Sequence, residues 1–160
     1  MKILEIAPDF PPVVRGGGAQ TFLLLADSWT RLGHEVTVLT SCPENMLHIF
    51  SNEDYPFKLH IFALVDPPKG MENLTYHMPV YLRSFKSLRG WLRSQQASFD
   101  LIVVHGFMET LSLISLMTFS QSTLKKVVLT NHGLSVHWGL FGNSDWSINP
   151  FRKIVGIASK

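Results

Sequence analysis

Residues 6–22, IAPDFPPVVRGGGAQTF, set prolines and three consecutive glycines between an apolar run and the start of a helix. Upstream, KILEIA (2–7) is a short apolar run ended by Pro8 and reads as a buried strand. Downstream, AQTFLLLADSWTRLG carries Phe22, Leu25, Ala26, Trp29 and Leu32 at helical spacing, with Gly33 as the stop signal. Strand, glycine loop and helix in that order form the opening unit of an α/β sheet. In such sheets ligands bind beyond the carboxyl ends of the strands, near the switch in strand order. Glycines placed there leave backbone N–H groups unobstructed, with the positive end of a helix dipole behind them. The loop 8–18 therefore reads as a phosphate or diphosphate site, with Gly16 and Gly17 as contacts and Gly18 easing helix–strand packing. The competing reading is a tight turn that needs positive φ at glycine.

The rest of the chain repeats the alternation. HEVTVLT (34–40) is β-branched and FKLHIFAL (57–64) follows a polar loop; both read as strands. PVYLRSFKSLRGWLRSQ (79–95) sets Tyr81, Leu82, Phe85, Leu88, Trp91 and Leu92 against Arg83, Lys86, Arg89 and Arg93, a basic amphipathic helix entered by a proline. FDLIVVHG (99–106) and KKVVLTNHG (125–133) are continuous buried runs ending in His-Gly. Between them METLSLISLMTFS is helical in length and apolar nearly all round, and RKIVGIASK (152–160) starts one more strand. Strands apolar throughout, alternating with helices, predict a doubly wound, mostly parallel α/β sheet covered on both faces, in one domain over 1–160.

Bulk properties narrow the function. A chain of 160 residues, 46% hydrophobic, suits a single core, and 16% charged residues exclude a disordered tail. A formal net charge of +2 does not mark a nucleic-acid binder. The lone cysteine, Cys42, excludes an internal disulfide framework and fits a reducing compartment. No apolar run approaches the ~20 residues that span a bilayer, and a first strand starting at residue 2 leaves no room for a signal peptide. The expected address is the cytoplasm. The basic helix 81–95 has two readings, a sheet-covering helix with a solvated face or a peripheral contact with the inner membrane face.

Three ligand chemistries are disfavoured. The NAD fingerprint needs a short G-x-G-x-x-G turn and an acid ending the second strand, whereas that strand ends VLTSC. The pattern G-x-x-x-x-G-K-[ST] is absent. His132 and His137 are five apart with no third ligand nearby, and there is no Asp-x-Asp, so no metal and no cofactor are expected.

The loop PPVVRGGGAQTF, followed by LADSWTRLGHEVTVLT, resembles the amino-terminal domain of GT-B glycosyltransferases of the family 4 type. FDLIVVHGFMETL is similar to that family's segment after the fourth strand, VVLTNHGL to its fifth strand with the following histidine, and KIVGIASK to its last strand before the crossover. The resemblance implies a Rossmann-like acceptor-side domain of a retaining enzyme that moves sugar from a nucleotide-sugar donor to a saccharide or lipid-linked acceptor. It implies that Gly16, Gly17 and Gly18 face the donor diphosphate or the transferred sugar, with Arg15 as an added cation. It implies a catalytic role for His132 beside the transferred sugar. His105, at the neighbouring strand end, falls on the acceptor side, with Glu109 either lining that cleft or starting a helix. The aromatic-rich stretch LSVHWGLFGNSDWSINPF (134–151) departs from the family pattern; Trp138 and Trp146 form either an acceptor platform or a loop closed over the core. The family's acidic Glu-x7-Glu motif, on a carboxy-terminal donor-nucleotide domain, has no counterpart in 1–160, so this chain is not expected to act alone. Two alternatives stay open: a freestanding α/β module completed by a partner chain, and an unrelated phosphosugar- or nucleotide-binding enzyme using the same loop.

Overall fold

The computed structural model describes residues 1–50, 55–64, 79–106 and 109–130, and for residues 79–84 and 110 the backbone alone. In chain order the elements are β1 (Lys2–Ile6), α1 (Gly17–Arg31), β2 (Glu35–Pro43), β3 (Lys58–Leu64), α2 (Pro79–Gln95), β4 (Leu101–His105), α3 (Thr110–Thr118), α4 (Gln121–Leu124) and β5 (Val127–Thr130). The five strands form one sheet in the order β3-β2-β1-β4-β5, and every pairing is parallel. The doubly wound α/β architecture expected from the alternation is what the chain adopts.

Strand alternation sorts the core into two layers. On one face Leu4, Ile6, Leu39, Phe62, Ile102 and Val104 pack under Leu88 and Leu92 of α2 and Leu111 of α3. On the other, Ile3, Ala7, Val36 and Val38 pack under Phe22 and Ala26 of α1. Since α2 directs Leu88 and Leu92 onto the sheet and leaves Lys86 and Arg93 exposed, a sheet-covering role accounts for its described residues. Leu92 is fully buried, so Leu92→Ala is expected to cost about 2–5 kcal/mol in urea unfolding. A loss below 1 kcal/mol would show that α2 sits loosely on the sheet.

Three local features differ from the periodicity reading. Leu32, expected on the apolar face of α1, is 72% exposed, because the helix has ended there. The N–H of Gly33 donates to Thr30 O and that of His34 to Trp29 O, a Schellman closure that needs the positive φ of Gly33. In α3 the hydroxyl residues Ser112, Ser115 and Thr118 face inward while Met117 faces out. Their hydroxyls donate to His105 O, Leu111 O and Ile114 O, which makes the burial affordable on a helix of this composition. Val128 and Leu129, expected inside a buried run, are exposed on β5, which has one strand neighbour among the described residues.

Candidate functional site

Strand order reverses direction between β1 and β4, the switch point at which sheets of this class form a ligand crevice beyond the carboxyl ends of the strands. The loop after β1 is anchored at its start. Phe10 is buried among the rings of Tyr55 and Phe57, and the Tyr55 hydroxyl donates to Pro11 O at 3.0 Å. Beyond that anchor Arg15, Gly16 and Gly17 are exposed.

Neither backbone conformation nor packing among the described residues requires these glycines. Gly16 has φ −74° and ψ 165°, extended geometry open to any residue, and none of the three has positive φ. Among the described residues, nothing lies within 4 Å of a Cβ added at Gly16 or Gly17. At Gly18 such a Cβ would make an ordinary 3.7 Å contact with Phe22, so the packing reading of Gly18 is not needed either. Gly106, at the end of β4, is the contrast: its φ is +57° and a Cβ would press on Glu109 Cγ at 3.1 Å. The start of α1 also lacks a side-chain cap, and no acid stands in its first turn. Nothing among the described residues therefore offsets the positive end of its dipole at its first N–H groups, a geometry that attracts an anion.

Across the crevice, β4 ends in His105, which is wholly buried. Its Nε2 is 2.7 Å from Glu5 Oε1, its Nδ1 meets the Thr130 hydroxyl, and its ring stacks on Phe22 of α1 at 4.2 Å. Three neighbouring strands and one helix thus converge on one imidazole. Burial pushes the Glu5 carboxyl up to about 9 and the His105 imidazole down to about 4. Among the described residues Glu5 Oε2 is buried without a hydrogen-bond partner, as is Thr40 Oγ1 on β2. An ionised carboxylate there would leave a charged oxygen unsolvated, so the uncharged acid is the form that suits the site.

Arg15, Gly16, Gly17 and Gly18 follow β1 at its carboxyl end and His105 ends β4, with Phe22 of α1 stacked on the His105 ring. His105 itself is wholly buried, with its Nδ1 on the hydroxyl of the half-buried Thr130. Glu109 is the residue before α3, with its N–H donating to Gly106 O and its carbonyl accepting from Leu113 N, so it starts that helix. His132, Trp138 and Trp146 lie outside the described residues. Glu5 and Thr130 were missed by motif reading; the signal for Glu5 was a lone acid in the middle of the apolar run KILEIA. Among the described residues no group of three His, Cys, Asp or Glu side chains is placed to hold a metal ion. No described helix is long and apolar enough to cross a membrane.

Comparison with known proteins adds a family to this geometry. The C-terminal domain (residues 78–226) of PF1911 hydrogenase from Pyrococcus furiosus superposes with a TM-score of 0.55 at 16% identity, covering 82% of this chain and 91% of that one. A second structure of that domain (residues 83–215) gives 0.53 at 18% identity, covering 82% and 90%. At such identities the likeness shows the α/β fold alone. No curated protein matches the chain. The family described as Glycosyltransferase Family 4 matches residues 15–158, a span that begins at Arg15 in the glycine loop and includes every strand after β1. The chain belongs to Glycosyltransferase Family 4.

Proposed function

We propose that this chain is the acceptor-side domain of a retaining glycosyltransferase whose donor is a nucleotide-sugar and whose acceptor is a saccharide or a lipid-linked saccharide. The observation that carries the reading is the glycine loop: exposed glycines that neither backbone conformation nor packing requires, at the uncapped start of α1. The donor's diphosphate approaches the amides at Gly16 and Gly17, and Arg15 adds a mobile cation. As the sugar leaves, negative charge grows on the diphosphate, and fixed N–H dipoles aimed at it lower the barrier without reorganising. His132, just beyond β5, acts beside the transferred sugar, where an imidazole hydrogen-bonds a hydroxyl or shares a proton near neutral pH. The nucleotide is held by a second, carboxy-terminal domain, so residues 1–160 do not turn over alone. The protein works in the cytoplasm, at the inner membrane face where its acceptor is lipid-linked.

The test is a transfer assay on the protein purified from its source cells, its intact mass recorded, against a panel of nucleotide-sugars. His132→Ala is expected to lower transfer at least about ten-fold with an unchanged circular dichroism spectrum. Near-normal turnover of that variant removes His132 from the chemistry. Turnover by residues 1–160 alone would overturn the acceptor-side assignment and favour a self-contained phosphosugar enzyme.

A further inference from the structure

We infer that Glu5 and His105 are positioning residues that aim the Thr130 hydroxyl proton into the crevice, where it donates to an oxygen of the sugar carried by the bound phosphate. The inference rests on the glycine-loop reading of the phosphate site. It follows from counting protons along the row Glu5–His105–Thr130. If Glu5 is the uncharged acid, its O–H donates to Nε2, and the single imidazole proton must sit on Nδ1. If the proton has moved to the imidazole, both ring nitrogens carry hydrogen. In either case Nδ1–H donates to Thr130 Oγ1, so the threonine oxygen accepts and its own proton points elsewhere. The remaining arrangement, an ionised Glu5 beside a neutral ring protonated on Nε2, buries a net charge whose second oxygen has no partner among the described residues.

Thr130 is the last residue of β5, half-buried at the carboxyl edge of the sheet, and of the described residues His105 alone bonds its hydroxyl. β5 lies two strands from β1, so Thr130 stands about 10 Å across the sheet from the strand that feeds the glycine loop. A phosphate seated on the Gly16 and Gly17 amides does not span that gap. The sugar attached to it does, and a sugar ring offers hydroxyl and ring oxygens as acceptors. The ligand class is therefore a glycosyl phosphate, with its phosphate at β1 and its sugar at β5.

The experiment uses the chain labelled with ¹⁵N, titrated with inorganic phosphate and with glucose 1-phosphate. Long-range ¹H–¹⁵N spectra are expected to place a proton on His105 Nδ1; a ring protonated on Nε2 alone overturns the inference without any ligand. Both probes should shift the Gly16 and Gly17 amides, and glucose 1-phosphate should also shift Thr130. Thr130→Val should weaken glucose 1-phosphate about five-fold, the worth of one neutral hydrogen bond, and leave inorganic phosphate unchanged. Glu5→Gln, whose amide donates to Nε2 as the acid does, should keep the Nδ1 proton and the affinity; Glu5→Leu should lose both. Equal affinity for glucose 1-phosphate in Thr130→Val sinks the inference while the glycine response upholds the phosphate site. Silent glycines with a responding Thr130 sink the phosphate site alone, and silence at both sinks both.

Discussion

His105→Ala is expected to destabilise the chain by about 3–5 kcal/mol, the combined cost of an unbonded buried carboxyl and a cavity. Alanine removes the partner of Glu5 Oε1, leaving a wholly buried carboxyl with neither oxygen bonded. It also removes the ring that stacks on Phe22 and opens a cavity beneath α1. Replacing both members with apolar residues, Glu5→Leu with His105→Phe, should recover most of the loss, because the polar pair itself contributes little net stability. Urea unfolding of the two single variants and the double variant checks this. A double variant as unstable as His105→Ala would show that the pair is a net source of stability.

The same pair gives the chain an asymmetric pH profile. Glu5 is raised from its ordinary 4.5 to about 9, so its contribution is whole below pH 4.5 and is lost as pH rises through 9. His105 is lowered from 6.5 to about 4, so its contribution is lost as pH falls from 6.5 through 4. Between 4.5 and 6.5 the two slopes cancel, since folded and unfolded chains each hold one proton on the pair. Above 6.5 the folded pair keeps a proton that the unfolded chain has released. Stability should therefore fall by up to about 1.4 kcal/mol per pH unit toward pH 9. The Tm difference between the parent chain and the double variant, followed from pH 6 to pH 9, isolates this slope from other titrating groups. A constant difference would mean that the pair holds no excess proton.

The sheet was legible because its signals are local and repeated. KILEIA, HEVTVLT, FKLHIFAL and FDLIVVHG each carry the apolar density of a strand buried on both faces, and Gly33 marks the end of α1 by a conformation that only glycine takes readily. The site was legible in half. Motif and fold position pointed to Gly16 and Gly17, since glycines at a strand-to-helix turn are visible in the sequence itself. Glu5, His105 and Thr130 are far apart in the chain and meet only because β4 and β5 lie beyond β1 in the sheet order. Periodicity assigns each to a strand, yet strand order and register decide that they touch. The inward serines of α3 escaped for a related reason: their hydroxyls are satisfied by backbone carbonyls, that of His105 on β4 for Ser112 and that of Leu111 for Ser115, so polarity did not force them outward.

Gly16→Val and Gly17→Ala should separate stability from activity. Gly17 is the first residue of α1, and alanine there has open space and a better helix propensity, so Gly17→Ala should raise stability by about 0.4–1 kcal/mol. Gly16 precedes the helix in extended geometry, where valine fits sterically but caps poorly, so Gly16→Val should lose about 1 kcal/mol at most. A purely structural loop would let transfer follow these small changes. A loop that holds a diphosphate against its amides would not, because each new side chain stands where the phosphate oxygens approach. Displacing the donor by about 1 Å lowers the rate on the order of a hundred-fold. In the protein from its source cells Gly17→Ala is therefore expected to melt higher and to transfer far more slowly in the assay, with the loss divided between donor KM and kcat. Gly16→Val is expected to abolish measurable donor binding, since valine is the bulkier group at an equally exposed position. Melting curves and transfer rates measured on the same preparations decide between the two. A more stable Gly17→Ala with unchanged kcat/KM would assign the open glycines no ligand and return the loop to a connection between β1 and α1.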